Sequence, residues 1–142
     1  MEQRLTLVTL AVDDVAAATA FYGRLGWRSH PSSVAGEISF FQLNGVALAL
    51  FSRRGFADDT GRGVAAAGAP AATAIALNFP DRASVDTAYE EALAAGAGEV
   101  KRPVEAPWGG YSGYYADPDG HLWEVAHNPF WKLAPDGTVD LG

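Results

Sequence analysis

A strand pattern followed by a helix pattern, occurring twice along the chain, constrains this sequence more than any other feature. In the first half Leu5 to Val12 alternates, with Val8, Leu10 and Val12 on one face and Leu7, Thr9 and Ala11 on the other. A period of two predicts a half-buried strand. Val15, Ala18, Tyr22 and Leu25, with Phe21 beside them, then follow helical spacing. Asp13 and Asp14 supply an N-cap and an acidic first turn, and Gly26 stands where a C′ residue is wanted. In the second half Ala74 to Phe79 alternates and Ser84 is the predicted N-cap. Val85, Ala88, Tyr89, Ala92 and Leu93 follow at helical intervals up to Gly96.

Each helix pattern leads into β-like segments. From Trp27 the pattern is short and broken by His30-Pro31 and Gly36, until Glu37 to Leu43 and Val46 to Phe51 flank Asn44-Gly45. That dipeptide predicts a type I′ hairpin turn, which needs positive φ at both central residues. In the second half Glu99 to Val104, Tyr111 to Ala116 and His121 to His127 read as strands, the last two joined by a tight reversal at Asp117-Pro118-Asp119-Gly120. The predicted fold is α+β, one domain of 142 residues. It contains two β-α-β-β-β modules, over 5–54 and 73–129, with helices on the outer faces and curved sheets forming a shared cleft. Residues 55–72, rich in Gly and Ala, are expected to be a linker or flap, and 130–142 a tail that could cover a cleft or a partner.

Composition narrows the function classes. A chain of this length buries roughly two thirds of its unfolded surface without a covalent staple. The absence of Cys removes disulfides, thiolate metal sites and thiol nucleophiles, and suits a reducing cytoplasm. The N-terminal Met1-Glu2-Gln3-Arg4 leads straight into the alternating segment, so no export signal is expected, and no apolar run is long enough to span a membrane. A net charge of −7 argues against nucleic acid, whose phosphates require a basic footprint. It is compatible with neutral or cationic small ligands.

On the last predicted strand Trp123 and Val125 share one face while Leu122, Glu124 and Ala126 share the other, so a carboxylate sits among apolar neighbours. Burial there would raise its pKa and suit it to proton transfer; alternatively it accepts hydrogen bonds from nearby Tyr side chains or anchors a ligand amine. The faces expected to line the cleft are unusually small: Leu7, Thr9 and Ala11; Ala47, Ala49 and Phe51; Ala74, Ala76 and Asn78; Leu122, Glu124 and Ala126. Either they leave a pocket for a small molecule, or the sheets pack closely over them. Trp108, Tyr111, Tyr114 and Tyr115 add aromatic surface near the last hairpin, for stacking or for the core. Gly109-Gly110 precedes a strand and so lacks the context of a phosphate loop. Arg53-Arg54 reads as a solvated pair, or as an anion contact at the cleft mouth.

Val12-Asp13-Asp14-Val15 leading to Phe21-Tyr22 and Leu25-Gly26-Trp27, with Asp117-Pro118-Asp119-Gly120 and Trp123-Glu124-Val125, resembles the vicinal oxygen chelate superfamily of glyoxalase I, bleomycin-resistance proteins and extradiol dioxygenases. The resemblance covers Leu5 to Trp131 and implies the paired fold, a ligand or metal cleft between modules and, often, a homodimer. Metal-dependent members place a ligand on the first and last strand of each module. Glu124 matches the last of these positions; the others fall at or near Leu7, Ala49 and Ala74, none of which binds a metal, whereas a catalytic zinc normally has three protein ligands. His121 and His127 have the parity opposite to Glu124, and His30 lies in a loop.

The expected function is therefore metal-independent binding of a small apolar or cationic molecule, with sequestration of an antibiotic or toxin as the role the resemblance implies, and with no cofactor and no nucleic-acid or membrane partner. The expected ligand contacts are Leu7, Thr9, Ala49, Phe51, Asn78, Trp108, Tyr111, Tyr114, Leu122 and Glu124. The alternative is a glyoxalase-like lyase or isomerase, or a dioxygenase-like enzyme, with Glu124 as acid, base or metal ligand.

Overall fold

A computed structural model describes residues 2–141. The chain divides between Ala69 and Pro70 into two compact units. The first runs β1 (Leu7–Val12), α1 (Val15–Arg24), β2 (Ile38–Gln42), β3 (Ala47–Ser52) and α2 (Arg53–Thr60). Its sheet has the order β1-β3-β2, with β1 parallel to β3 and β2 antiparallel. The second runs β4 (Ala74–Asn78), α3 (Arg82–Ala94), β5 (Gly98–Glu105), β6 (Tyr111–Ala116) and β7 (Leu122–His127), in the order β4-β7-β6-β5, followed by a small hairpin of β8 (Lys132–Leu133) and β9 (Val139–Asp140). The position that β5 fills in the second unit is reduced in the first to isolated bridges, Ser29 to Phe41 and Val34 to Ile38. His30-Pro31 and Gly36 interrupt the chain there, and Pro has no N–H to extend a ladder.

Both long helices stop by the same device. In α1 the Trp27 N–H bonds the Tyr22 carbonyl at 3.1 Å and Gly26 bonds Gly23 at 3.0 Å; in α3 Ala97 bonds Ala92 at 3.0 Å and Gly96 bonds Leu93 at 3.0 Å. This is the Schellman arrangement, which satisfies carbonyls a helix end leaves orphaned. In α1 the accompanying apolar contact is the Trp27 ring stacked on Tyr22 at 5.4 Å.

The caps at the other ends differ in part from expectation. Asp14 caps α1, accepting from Ala17 N at 3.0 Å. In α3 the cap is Asp81, not Ser84: its carboxylate accepts from Ser84 N at 2.7 Å, and the helix begins at Arg82. Asp81 titrates below its ordinary value, chiefly because that backbone N–H favours the charged form.

Two further expectations are corrected. No described non-Gly residue takes positive φ, and Gly45 alone does so in the β2-β3 link, at 72°, so the turn is not type I′. The link is closed by the Leu43 N–H, which donates to the Val46 carbonyl at 2.9 Å. The linker, moreover, contains a helix. Ser52 accepts from Gly55 N at 3.1 Å as the N-cap of α2, so the chain turns into helix directly from β3.

Each sheet buries one face under its helix. In the first unit Leu10, Val12, Phe41, Leu48 and Leu50 are buried, as are Ala18, Phe21 and Tyr22 of α1, and the Tyr22 and Phe41 rings lie 5.7 Å apart. In the second, Val85, Tyr89 and Ala92 of α3 and Tyr115, Trp123 and Val125 of the sheet are buried, with the Tyr115 and Trp123 rings stacked at 6.4 Å. Each such large apolar side chain contributes about 1.5–3 kcal/mol. Gly113, opposite Val125, lets β5 approach: a Cβ there would lie 2.7 Å from Pro103 N. The β5-β6 register shifts on both sides of Lys101, and Pro103 is tolerated because β5 is an edge strand. Among the described residues no helix is long and apolar enough to cross a membrane.

Candidate functional site

The Asp117 turn sets the phase of β7. Asp117 N–H donates to the His121 carbonyl at 3.0 Å, and Gly120 N–H to the Asp117 carbonyl at 2.9 Å. The Asp117 carboxylate, only 4% exposed, accepts from Asp119 N at 3.0 Å and His121 N at 2.8 Å. One buried oxygen thus fixes two backbone groups of the turn, and sequence reading had singled out its Pro and Gly but not this clamp. Trp123 and Val125 consequently enter the core, while Leu122, Glu124 and Ala126 stand half-buried on the opposite face.

Glu124 pairs across the sheet with Ala76 of β4 and Tyr114 of β6. Ala74 and Ala76 are exposed, so little side-chain bulk flanks the carboxylate on the β4 side. On the other side stands Tyr114. Its phenol titrates above the ordinary value because of burial first, then the Glu124 carboxylate beside it. Asn78 and Leu122 lie on the same face.

Other expected contacts lie elsewhere. Tyr111 pairs with His127 and has the phase of Gly113 and Tyr115, so it stands on the α3 side of the sheet. Its hydroxyl donates to Asp86 of α3 at 2.8 Å, and Arg82 sits over its ring at 5.4 Å. Trp108 is 55% exposed in the β5-β6 loop, its ring lying against Gly110 so closely that a Cβ there would come within 1.9 Å. Neither joins Glu124. Parity along β6 separates Tyr111 from Tyr114; being near one another in sequence does not bring them to one face.

In the first unit Leu7, Thr9, Ala49 and Phe51 do share a face, but α2 packs across β3 and β1 on that side. The Phe56 ring meets Phe51 at 6.3 Å, and Gly55 lies against the Phe51 ring. Ala49 is fully buried and Ala11 is 7% exposed. Leu7 stays 43% exposed, but the end of this face at Ala49 and Phe51 is therefore covered, by a helix that extends into the segment expected to be a flap. Arg53 helps to hold it, pairing with Asp13 and the Ala65 carbonyl, while Arg54 is exposed.

The whole pattern now has a counterpart among known proteins. Residues 4–125 match the model of the Glyoxalase/Bleomycin resistance protein/Dioxygenase superfamily. The chain belongs to this superfamily. A glyoxalase-related enzyme from Fulvimarina pelagi has a similar crystal structure, with a TM-score of 0.87, 36% identity and 98% of each chain covered. A glyoxalase/bleomycin resistance protein/dioxygenase from Nocardioides matches with a TM-score of 0.76, 27% identity, and coverage of 89% of this chain and 84% of that one. A lactoylglutathione lyase from Agrobacterium tumefaciens shares the fold, with a TM-score of 0.72 at 24% identity over 94% of this chain and 100% of that one. No curated protein matches the chain.

The residues of this superfamily member do not fit the metal that other vicinal oxygen chelate proteins hold. The positions carried over from the resemblance are Leu7, Ala49 and Ala74, all hydrocarbon, and the strand partners of Glu124 are a methyl group and a phenol. His127 directs Nδ1 to the Phe79 carbonyl at 3.1 Å, and His30 Nδ1 lies 2.8 Å from Ser32 Oγ. Among the described residues no three His, Asp or Glu side chains converge as a metal site would require.

Proposed function

We propose that this superfamily member binds a small, largely apolar or cationic molecule on the Glu124 face of the β4-β7-β6-β5 sheet, without a metal ion. The supporting observation is the carboxylate itself, beside Tyr114 and flanked by Ala74, Ala76 and Ala126. The carboxylate offers an ammonium group a charged acceptor, the Tyr114 ring offers it a π face, and the alanines leave room beside both. Sequestration of a toxic or antibiotic compound is the role this chemistry serves. Calorimetric titration of a panel of planar cations into wild type and Glu124→Gln tests it. Glu124→Gln should weaken binding at least about tenfold, the value of one charge-assisted hydrogen bond. Equal affinities for every compound bound would overturn the reading.

A second reading is favoured by the 36% identity to a glyoxalase-related enzyme. Glu124 would accept a proton and Tyr114 donate one in a lyase- or isomerase-type reaction. Turnover lost in both Tyr114→Phe and Glu124→Gln, with binding retained in Tyr114→Phe, separates this reading from pure binding.

A further inference from the structure

A second concavity lies at the carboxyl ends of β4 and β7. These strands are parallel, so both chains emerge side by side, joined by Phe79 N–H to the Ala126 carbonyl at 2.8 Å. One chain leaves through Phe79-Pro80 toward α3. The other turns back at Asn128, whose side chain accepts from Phe130 N at 3.0 Å and whose carbonyl accepts from Trp131 N at 3.3 Å. The β8-β9 hairpin then holds Leu133 over the strand ends. The result is a cavity of about 160 Å³ with apolar walls from Phe79, Pro80, Trp131 and Leu133. That volume is close to the roughly 150 Å³ known to admit a benzene ring in a protein interior. Trp131 remains 40% exposed, an aromatic wall with one side uncovered.

Polar groups in the lining narrow the occupant. His127 Nδ1 is 3.1 Å from the Phe79 carbonyl, which can only accept, so Nδ1 carries the hydrogen. The neutral ring then has Nε2 left as an acceptor. Asn78 is also in the lining, at the end of β4, but its side chain has the phase of Ala126 and Glu124 and so lies on the face opposite the His127 ring.

We propose that this cavity binds an uncharged planar six-membered ring that carries one N–H donor. The ring stacks on Trp131 and its N–H donates to His127 Nε2. This site shares no strand-paired residue with Glu124.

The test is an NMR titration of the full chain with 2-pyridone, following the His127 imidazole, the Trp131 indole N–H and the Tyr114 ring. Saturable shifts at His127 and Trp131 with Tyr114 unmoved are expected. His127→Ala should weaken binding by roughly three- to tenfold, the range for one hydrogen bond. N-methyl-2-pyridone, which keeps the shape and loses the donor, should bind wild type more weakly by a similar factor, a comparison that needs no variant to fold. Shifts that do not saturate, shifts centred on Tyr114, or equal affinity for the two pyridones would overturn the proposal.

Discussion

Tyr114 and Glu124 stand opposite each other on β6 and β7, so the phenol and the carboxylate share one face of the sheet. Burial first, and the Glu124 carboxylate second, hold the phenol above its ordinary 10.0. A raised folded-state pKa means the neutral form is preferred in the fold. The stability it contributes is present in full below the unfolded value and is lost as pH rises through the folded one. Ultraviolet difference titration, with Tyr114→Phe as the blank, should show this tyrosine ionising late. In Glu124→Gln its midpoint should fall toward 10.0 without reaching it, because burial remains. A midpoint unmoved by that substitution would show that the carboxylate does not act on the phenol.

Asp117 should be the most sensitive polar position of the β6-β7 connection. Its carboxylate satisfies two backbone N–H groups while almost fully buried. Asp117→Ala should cost about 2–3 kcal/mol, and Asp117→Asn less than half of that because an acceptor oxygen remains. Urea unfolding with an unchanged slope checks it. Equal losses for the two variants would contradict the clamp.

Gly113→Ala should loosen β5 without disturbing β7. The added methyl group would meet Pro103 N at 2.7 Å and Pro103 Cδ at 2.8 Å, and a ring fused to the backbone cannot swing aside. A cost of about 1–3 kcal/mol is expected from overpacking of this kind. Amide exchange should accelerate across 98–105 more than across 122–127; uniform acceleration would point to global destabilisation instead.

Gly55→Ala should lift α2 from the first sheet. A Cβ at this position would lie 2.4 Å from the Phe51 ring and 2.9 Å from Ser52 Oγ, which caps the helix. Protease cleavage within 53–60 should rise while exchange in β1 and β3 stays slow. Unchanged cleavage would mean that the ring rotates out of the way at little cost.

Much of this structure was legible in the sequence because its signals are local. Alternation at period two located β1, β4 and β7, and helical spacing with Gly at C′ located α1 and α3. The phase of Glu124 against Trp123 followed from strand geometry alone. What escaped depends on partners distant in sequence or on competition between caps. Asp81 outcompeted Ser84 because a carboxylate is the stronger acceptor at a helix N-terminus. The helix α2 has no buried residue and few apolar ones, so no periodicity announced it. Tyr111 was grouped with Tyr114 by proximity, although an odd separation sends them to opposite faces. The concavity under Trp131 arises from where a tail folds back, which no pattern in the tail itself encodes.

With α2 across β3 and β1, the first half of this duplicated scaffold leaves less of its sheet open at Ala49 than the second half leaves at Ala74 and Ala76. Repetition of the architecture is thus not repetition of the open surface. A compound docking on the strands should saturate at one equivalent per chain, and a second equivalent should appear only once α2 is removed.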